Sequence, residues 1–280
     1  MSAPFMNVDA SKVSILFITY NRSDILEQTF RSLKAWAGFA QTVTICSDDC
    51  SERQHQARIR AMGFDKVLIA EKNGGLGRNN NKGLKAVETD YVLMVQDDCE
   101  LVDPCAIDRA IRILDEDPSI GMVRLMDDAS HFALQKRQLG NFPYFVCDHH
   151  GPAYQALKQQ GRRIRVYSDH AQLRRRSVHE SLVGYYAEGV PMEYTEMDYE
   201  DRIDQQTSFF VAFLSDKENN FFVHQGTDAS FRTSKLRYKI DDALVHMVNV
   251  VGLRKLPVYG LLRKGYHSVQ DKLVRVGVLK

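Results

Sequence analysis

The sequence predicts an α/β fold: a mostly parallel central sheet covered by helices on both faces. Three observations carry this. Short apolar runs recur at 13–18, 42–46, 66–70 and from Tyr91, and read as buried strands. Helical periodicity fills the intervals, so the order is βαβαβαβ. Three runs end abruptly in polar or acidic residues, as strands do when their C-terminal ends line a ligand crevice.

Val13 to Ile18 form the first strand, followed by Thr19, Tyr20, Asn21 and Arg22. Ser23 is placed to cap the next helix, in which Ile25, Leu26, Phe30 and Leu33 recur at helical spacing. Residues 42–46 make a second strand ending in Ser47, Asp48 and Asp49. A helix over 52–62 leads to a third strand at 66–70. Asn73, Gly74, Gly75 and Gly77 mark a loop, and a helix over 78–88 follows. The fourth strand runs from Tyr91 into Gln96, Asp97 and Asp98. Asp103 and Pro104 start a helix to about Glu116, and 121–125 reads as a further strand. The region 127–190 is less regular and locally basic, with Arg162, Arg163, Arg165, Arg174, Arg175 and Arg176. A helix around 174–182 with a solvated basic face is expected there, the alternative being contact of these arginines with phosphate or an anionic acceptor. Beyond 229 the pattern is one of short amphipathic helices broken at Pro257 and Gly260.

The 280 residues are 44% hydrophobic and 26% charged, as in an ordinary globular protein. The net charge of +1 hides an asymmetry: residues 229–280 carry eleven Lys/Arg against three Asp/Glu. An acidic body with a basic tail points to an anionic partner for the tail. The five cysteines, Cys46, Cys50, Cys99, Cys105 and Cys147, show no CxxC pair and read as reduced thiols. The first ten residues do not read as a signal peptide, and no segment approaches the roughly 20 apolar residues of a membrane span. The expected location is the cytoplasm, with peripheral contact at the inner membrane face. No GxGxxG follows the first strand and no GxxxxGK[ST] is present, which disfavours dinucleotide-binding and P-loop sites.

In a parallel sheet the ends at Thr19–Arg22, Asp48–Asp49 and Asp97–Asp98 lie along one edge. A carboxylate at the second end can accept hydrogen bonds from a base or ribose. The glycine loop lets backbone approach a nucleotide closely. Two adjacent carboxylates at the fourth end need a cation, and a divalent metal bridging a diphosphate is a natural one.

The stretches 18–22, 47–51, 73–83 and 95–101 resemble, in order and spacing, the motifs of glycosyltransferase family 2, which has the GT-A fold. A second block is similar to the segment leading to that family's catalytic acid: 173–186, then Glu196, Asp198, Glu200 and Arg202. His224 resembles the histidine that often follows. The resemblance reaches from about 13 to about 230. It implies a GT-A, Rossmann-like catalytic domain at 1–230 with a basic amphipathic helical extension at 231–280. It implies an inverting, Mn²⁺- or Mg²⁺-dependent transfer from a nucleotide-diphosphate sugar, UDP-sugar favoured, in bacterial-type surface glycan synthesis. The acceptor would be a saccharide or a lipid-linked saccharide, an anionic membrane a possible contact of 231–280, and no nucleic acid a partner.

On matching positions, Asp198 would be the general base. Thr19, Tyr20, Asn21, Arg22, Asp48, Asp49, Asn73, Gly75, Arg78, Asp97 and Glu200 would bind nucleotide or substrate, and Asp98 and His224 the metal. The chain departs from the family at four places. Gln96 replaces the first of three acids, Cys50 a glycine, Asn80 an arginine, and Met197 the acid before the base. Gln96 and Met197 leave open a member that binds a nucleotide sugar without turnover. A sugar-phosphate nucleotidyltransferase would want a basic glycine loop after the first strand, and residues 19–24 lack it.

Overall fold

The computed structural model describes residues 8–126, 134–160, 166–206, 208–214 and 221–225. The extension at 231–280, with its expected helices and membrane contact, and Arg162, Arg163 and Arg165 lie outside the described residues.

The N-terminal half alternates as expected: β1 (Val13–Thr19), α1 (Ser23–Leu33), β2 (Val43–Asp48), α2 (Arg53–Ala61), β3 (Lys66–Ile69), α3 (Leu76–Leu84) and β4 (Tyr91–Gln96). Then come β5 (Cys99–Leu101), α4 (Cys105–Glu116), β6 (Ile120–Arg124), a hairpin of β7 (Leu134–Leu139) and β8 (Phe142–Cys147), and α5 (Pro152–Gln159). The described chain ends with β9 (Gln172–Arg175), α6 (Met192–Asp204), β10 (Phe210–Phe213) and β11 (Phe222–His224).

Nine strands form one sheet in the order β3-β2-β1-β4-β9-β6-β10-β8-β7, in which only β9 and β8 run against the rest. β11 and β5 pair as a separate antiparallel ribbon.

Burial on both faces follows from strand alternation. Val13, Ile15 and Phe17 of β1 join Leu93 and Val95 of β4 in a core with Leu26, Phe30 and Leu33 of α1 and Ile107 and Ile111 of α4. Leu16, Ile18, Val92 and Met94 face the other way, into a core with Leu84 of α3, Tyr154 of α5, and Tyr199 and Ile203 of α6. The doubly covered, mostly parallel sheet of the sequence reading is therefore present.

Three local expectations are corrected. Ser23 is the first residue of α1 rather than its cap, and its hydroxyl lies 2.8 Å from His55 Nδ1. α3 ends at Leu84, four residues early. The helix expected at 174–182 is instead β9, wedged antiparallel between β4 and β6, followed by a π-helical turn at Val178–Leu182. Nor is Arg174 on a solvated face: it is fully buried. Its guanidinium lies among Tyr186, Tyr199 and Tyr167, donating to Tyr199 Oη at 2.9 Å. Burial works against its charge, but the three hydroxyls raise its pKa.

Candidate active site

The C-terminal ends of β1, β2 and β4 meet at one edge. Backbone bonds lock them together: Asp49 N–H donates to Thr19 O at 3.2 Å, and Asp97 N–H to Ile18 O at 3.1 Å. Asn21 holds a left-handed backbone at φ 55°, which asparagine tolerates better than most residues. Ser51 Oγ accepts from Asn21 N–H at 2.7 Å, and Asn21 Oδ1 accepts from Glu52 N–H at 2.7 Å. This turn aims Arg22 across the edge.

The acid pair is the centre. Arg22 reaches Asp97 Oδ1 at 2.9 Å and Asp98 Oδ2 at 2.8 Å. Thr19 Oγ1 donates to the second Asp97 oxygen at 2.8 Å, and Tyr20 offers its backbone N–H to the same carboxylate. Both aspartates are buried. Burial pushes the Asp97 carboxyl up to about 7, with Arg22 opposing and Asp98 adding to the rise. The β5–β11 ribbon pairs His224 with Cys99 and so brings His224 Nε2 to 3.3 Å from Asp98 Oδ2. The His224 ring packs on His170, centroids 5.6 Å apart.

At the second strand end the two acids do different things. Asp48 turns inward and closes its own loop by accepting from Ser51 N–H at 2.9 Å and from the Ser51 hydroxyl. These bonds close the turn that follows β2. Asp49 accepts from Gly74 N–H and Gly75 N–H, each at 2.8 Å, and so pins the glycine loop to β2. Burial raises the Asp49 pKa against the pull of those two donors. Gly75 takes φ 80° as it opens α3, a conformation that favours glycine. Cys50 takes φ 64°, the reason a glycine suits this turn.

A cleft of about 460 Å³ opens beside this loop, lined by Asp49, Gly74, Asn79, Lys82, Lys85 and Arg78 among others. Asn79 ties α3 to the edge, accepting from Ser47 Oγ at 2.8 Å and donating to Thr19 O at 3.1 Å. Lys82 donates to Asp48 O at 2.5 Å, and burial lowers its pKa. Asn73 is exposed, and Arg78 pairs with Glu188 at 3.1 Å. Asn81 holds the 184–188 loop over α3 through Tyr186 N–H at 2.8 Å, Tyr186 O at 2.9 Å and Glu188 Oε1 at 2.8 Å.

α6 presents two acids on opposite sides. Asp198 turns back along its own helix to Arg202, at 3.0 and 2.8 Å, and its side chain is 46% exposed. Glu196, two residues earlier, lies about 200° away round the helix. It accepts from Asp169 N–H at 3.2 Å. Asp169 precedes His170, whose ring packs on that of His224, so a chain of neighbours runs from Glu196 toward the ribbon that carries His224. Burial, and next the Glu196 charge, raise the Asp169 carboxyl. Glu200 is buried on the same side of α6.

The site thus gathers Thr19, Tyr20, Arg22, Asp97, Asp98 and His224 at one point, and Asp49 and Gly75 at the adjoining loop. Asp48, Asn21, Asn73 and Asp198 do not join the centre. The sequence does not single out Asn79, gives Asn81 and Lys82 only within the 73–83 stretch, and offers Glu196 without a role. Three consecutive asparagines inside a helix, where asparagine is a poor former, were the available signal.

A family profile described as "Glycosyl transferase family 2" matches residues 14–183, ending before α6. Mannosyltransferase PcManGT from Pyrobaculum calidifontis, solved in complex with GDP-Man and Mn²⁺, superposes with a TM-score of 0.58. It is 12% identical, over 88% of this chain and 65% of that one. Staphylococcus aureus TarS 1–349 superposes at 0.54 with 19% identity, over 75% and 59%. The same TarS fragment in complex with UDP-GlcNAc gives 0.51 with 17% identity, over 77% and 60%. At these identities the likeness is one of fold, and the chain spans under two thirds of the length of each. No curated protein matches by sequence.

Proposed function

The chain belongs to glycosyl transferase family 2 and has the GT-A fold, and from that premise we propose that it moves a sugar from a nucleotide-diphosphate donor to an acceptor hydroxyl with inversion. The observation that carries this reading is the meeting of three parallel strand ends beside one buried acid pair.

Asp98 Oδ2 and His224 Nε2 face one another at 3.3 Å and suit a divalent cation. Magnesium-type sites use one or two protein ligands and leave the rest to substrate phosphate and water. No cluster of three or more His, Cys, Asp or Glu able to hold a metal is present among the described residues. A metal held by Asp98 and His224 would leave positions open to the donor's diphosphate and water. When bound, Mn²⁺ or Mg²⁺ offsets the charge that grows on the departing diphosphate.

The chain's own residues supply the rest. The loop pinned by Asp49, with Asn79 and Lys82 at the cleft, receives the nucleoside. Thr19 fixes Asp97, and Arg22 stands beside the place of the diphosphate. Glu196, rather than Asp198, takes the proton from the acceptor hydroxyl as that oxygen attacks the anomeric carbon. The bond from that carbon to the diphosphate oxygen breaks, and the nucleoside diphosphate leaves. The support for Glu196 is its side of α6; Asp198 is held by Arg202.

A UDP-sugar donor, a saccharide or lipid-linked saccharide acceptor and a place in surface glycan synthesis complete the proposal. PcManGT carries GDP-Man and the TarS fragment UDP-GlcNAc, so the nucleotide is the first thing to test. A thermal-shift screen of UDP, GDP, dTDP and their sugars with Mn²⁺ or Mg²⁺ does so, since a donor at 100 times its Kd adds about 2.7 kcal/mol. If no nucleotide shifts the melting temperature and no donor is hydrolysed, the proposal is wrong.

A further inference from the structure

We infer that Arg22 is an exchangeable counter-cation, holding Asp97 and Asp98 while the site is without donor and releasing Asp98 when a divalent cation and a nucleoside diphosphate arrive together. The inference rests on the metal–diphosphate reading above and adds a coupling between the two ligands.

The argument begins with one atom. Asp98 Oδ2 accepts from Arg22 at 2.8 Å and faces His224 Nε2 at 3.3 Å. It is the oxygen best placed to share a metal with His224. A cation drawn to it meets the Arg22 guanidinium in the same place, and like charges at that separation repel strongly. Arg22 must therefore leave Asp98, or the cation stays weakly held.

Arg22 is able to leave. Its Nε is buried with no hydrogen-bond partner, so movement forfeits no bond there. Its backbone stays put, because Asn21 is pinned on both sides by Ser51 and Glu52. Only the side chain has to swing.

Charge counting supplies the coupling. With both carboxylates ionised, Arg22 leaves the pair at net −1. A divalent cation alone takes the group to +1, and a diphosphate alone takes it to about −3. Both together return it to about −1. Each ligand therefore binds better when the other is present, and Arg22 gains the diphosphate as a new partner as it gives up Asp98.

The test is Mn²⁺ binding to the full chain, read as free Mn²⁺ by electron paramagnetic resonance, with and without UDP or GDP. Wild type should bind Mn²⁺ at least about tenfold more tightly with its nucleoside diphosphate present. Arg22→Gln should bind Mn²⁺ alone at least about tenfold more tightly than wild type does, and lose most of the nucleotide's gain. Arg22→Lys keeps a charge but cannot span both carboxylates, and should fall between them; it serves if the glutamine variant does not fold. Unchanged or weaker Mn²⁺ binding in both variants, with the nucleotide gain intact, overturns the inference and leaves the metal reading standing. No Mn²⁺ binding by wild type under any condition overturns both.

Discussion

The most discriminating prediction sets Glu196→Gln against Asp198→Asn. The two carboxylates sit two residues apart on α6, about 200° round the helix, so they cannot both face the acid pair. Glu196 touches Asp169 N–H at 3.2 Å; Asp198 is held by Arg202 at 2.8 Å and is 46% exposed. A positioned general base contributes about 10²–10⁴ in rate, or roughly 3–5 kcal/mol of barrier. Glu196→Gln keeps size and hydrogen bonding while removing basicity, so kcat should fall by about that factor with the donor Kd nearly unchanged. Asp198→Asn removes a half-exposed i,i+4 ion pair worth about 0.3–0.5 kcal/mol. Its kcat should stay within about twofold of wild type. The assay is release of nucleoside diphosphate at saturating donor, with donor affinity measured separately by calorimetry. A hundredfold loss in Asp198→Asn, with Glu196→Gln near wild type, refutes the assignment and the helix-face reasoning beneath it.

Three further outcomes are expected. His179, fully buried on the π-helical turn, has neither ring nitrogen hydrogen-bonded, and burial, then Arg174 and Arg176, depress its pKa to about 3. The unfolded chain takes up a proton near pH 6.5 that the folded chain refuses, so stability present above 6.5 is lost as pH falls toward 3. His179→Leu should flatten that loss by up to about 1.4 kcal/mol per pH unit, read from denaturant melts between pH 7 and 4; equal slopes would count against it. Asn81→Ala strips three hydrogen bonds from the 184–188 loop and should cost about 1–3 kcal/mol, with faster amide exchange confined to that loop. Global exchange without a local change would show that the loop is held elsewhere. Finally, residues 231–280 lie outside the described residues, but their basic sequence supports contact with anionic lipid. Liposome co-sedimentation of the full chain and of a chain lacking 240–280 should differ on anionic vesicles only; no difference would remove the membrane proposal.

What was legible in the sequence was local. β1, β2 and β4 are apolar runs buried on both faces, and the residues that terminate them are by position the residues of the crevice. That is why Thr19, Asp97 and Asp98 could be named from sequence alone. Cys50 departs from the family's glycine, and its φ of 64° gives the departure a physical meaning. What was not legible depends on partners far away in the chain. The hairpin of β7 and β8 reads poorly because β7 is half exposed and polar and β8 carries Pro143, which suits a sheet margin.

β9 is the sharpest case. An arginine in a strand is read as solvent-facing by default, yet Arg174 is buried between β4 and β6. Its compensation comes from Tyr167, Tyr186 and Tyr199, scattered over more than thirty positions, and no short window contains them. The same contact bears on function. Tyr199 lies on α6, three residues and so nearly one turn from Glu196, and its hydroxyl accepts from Arg174 at 2.9 Å while its ring stacks on Tyr186 at 4.1 Å. A full charge is fixed at the sheet centre, and the hydroxyl that accepts its 2.9 Å bond belongs to the helix that carries both Glu196 and Asp198. Rotating α6 by two residues to exchange the faces of Glu196 and Asp198 would withdraw Tyr199 from Arg174, whose Nε and Nη2 already lack partners, at a cost of about 1.5–3 kcal/mol for the charged bond lost. The residue that concealed the strand from sequence reading is therefore also one that fixes the rotation of α6, on which the proposal of Glu196 as base rests.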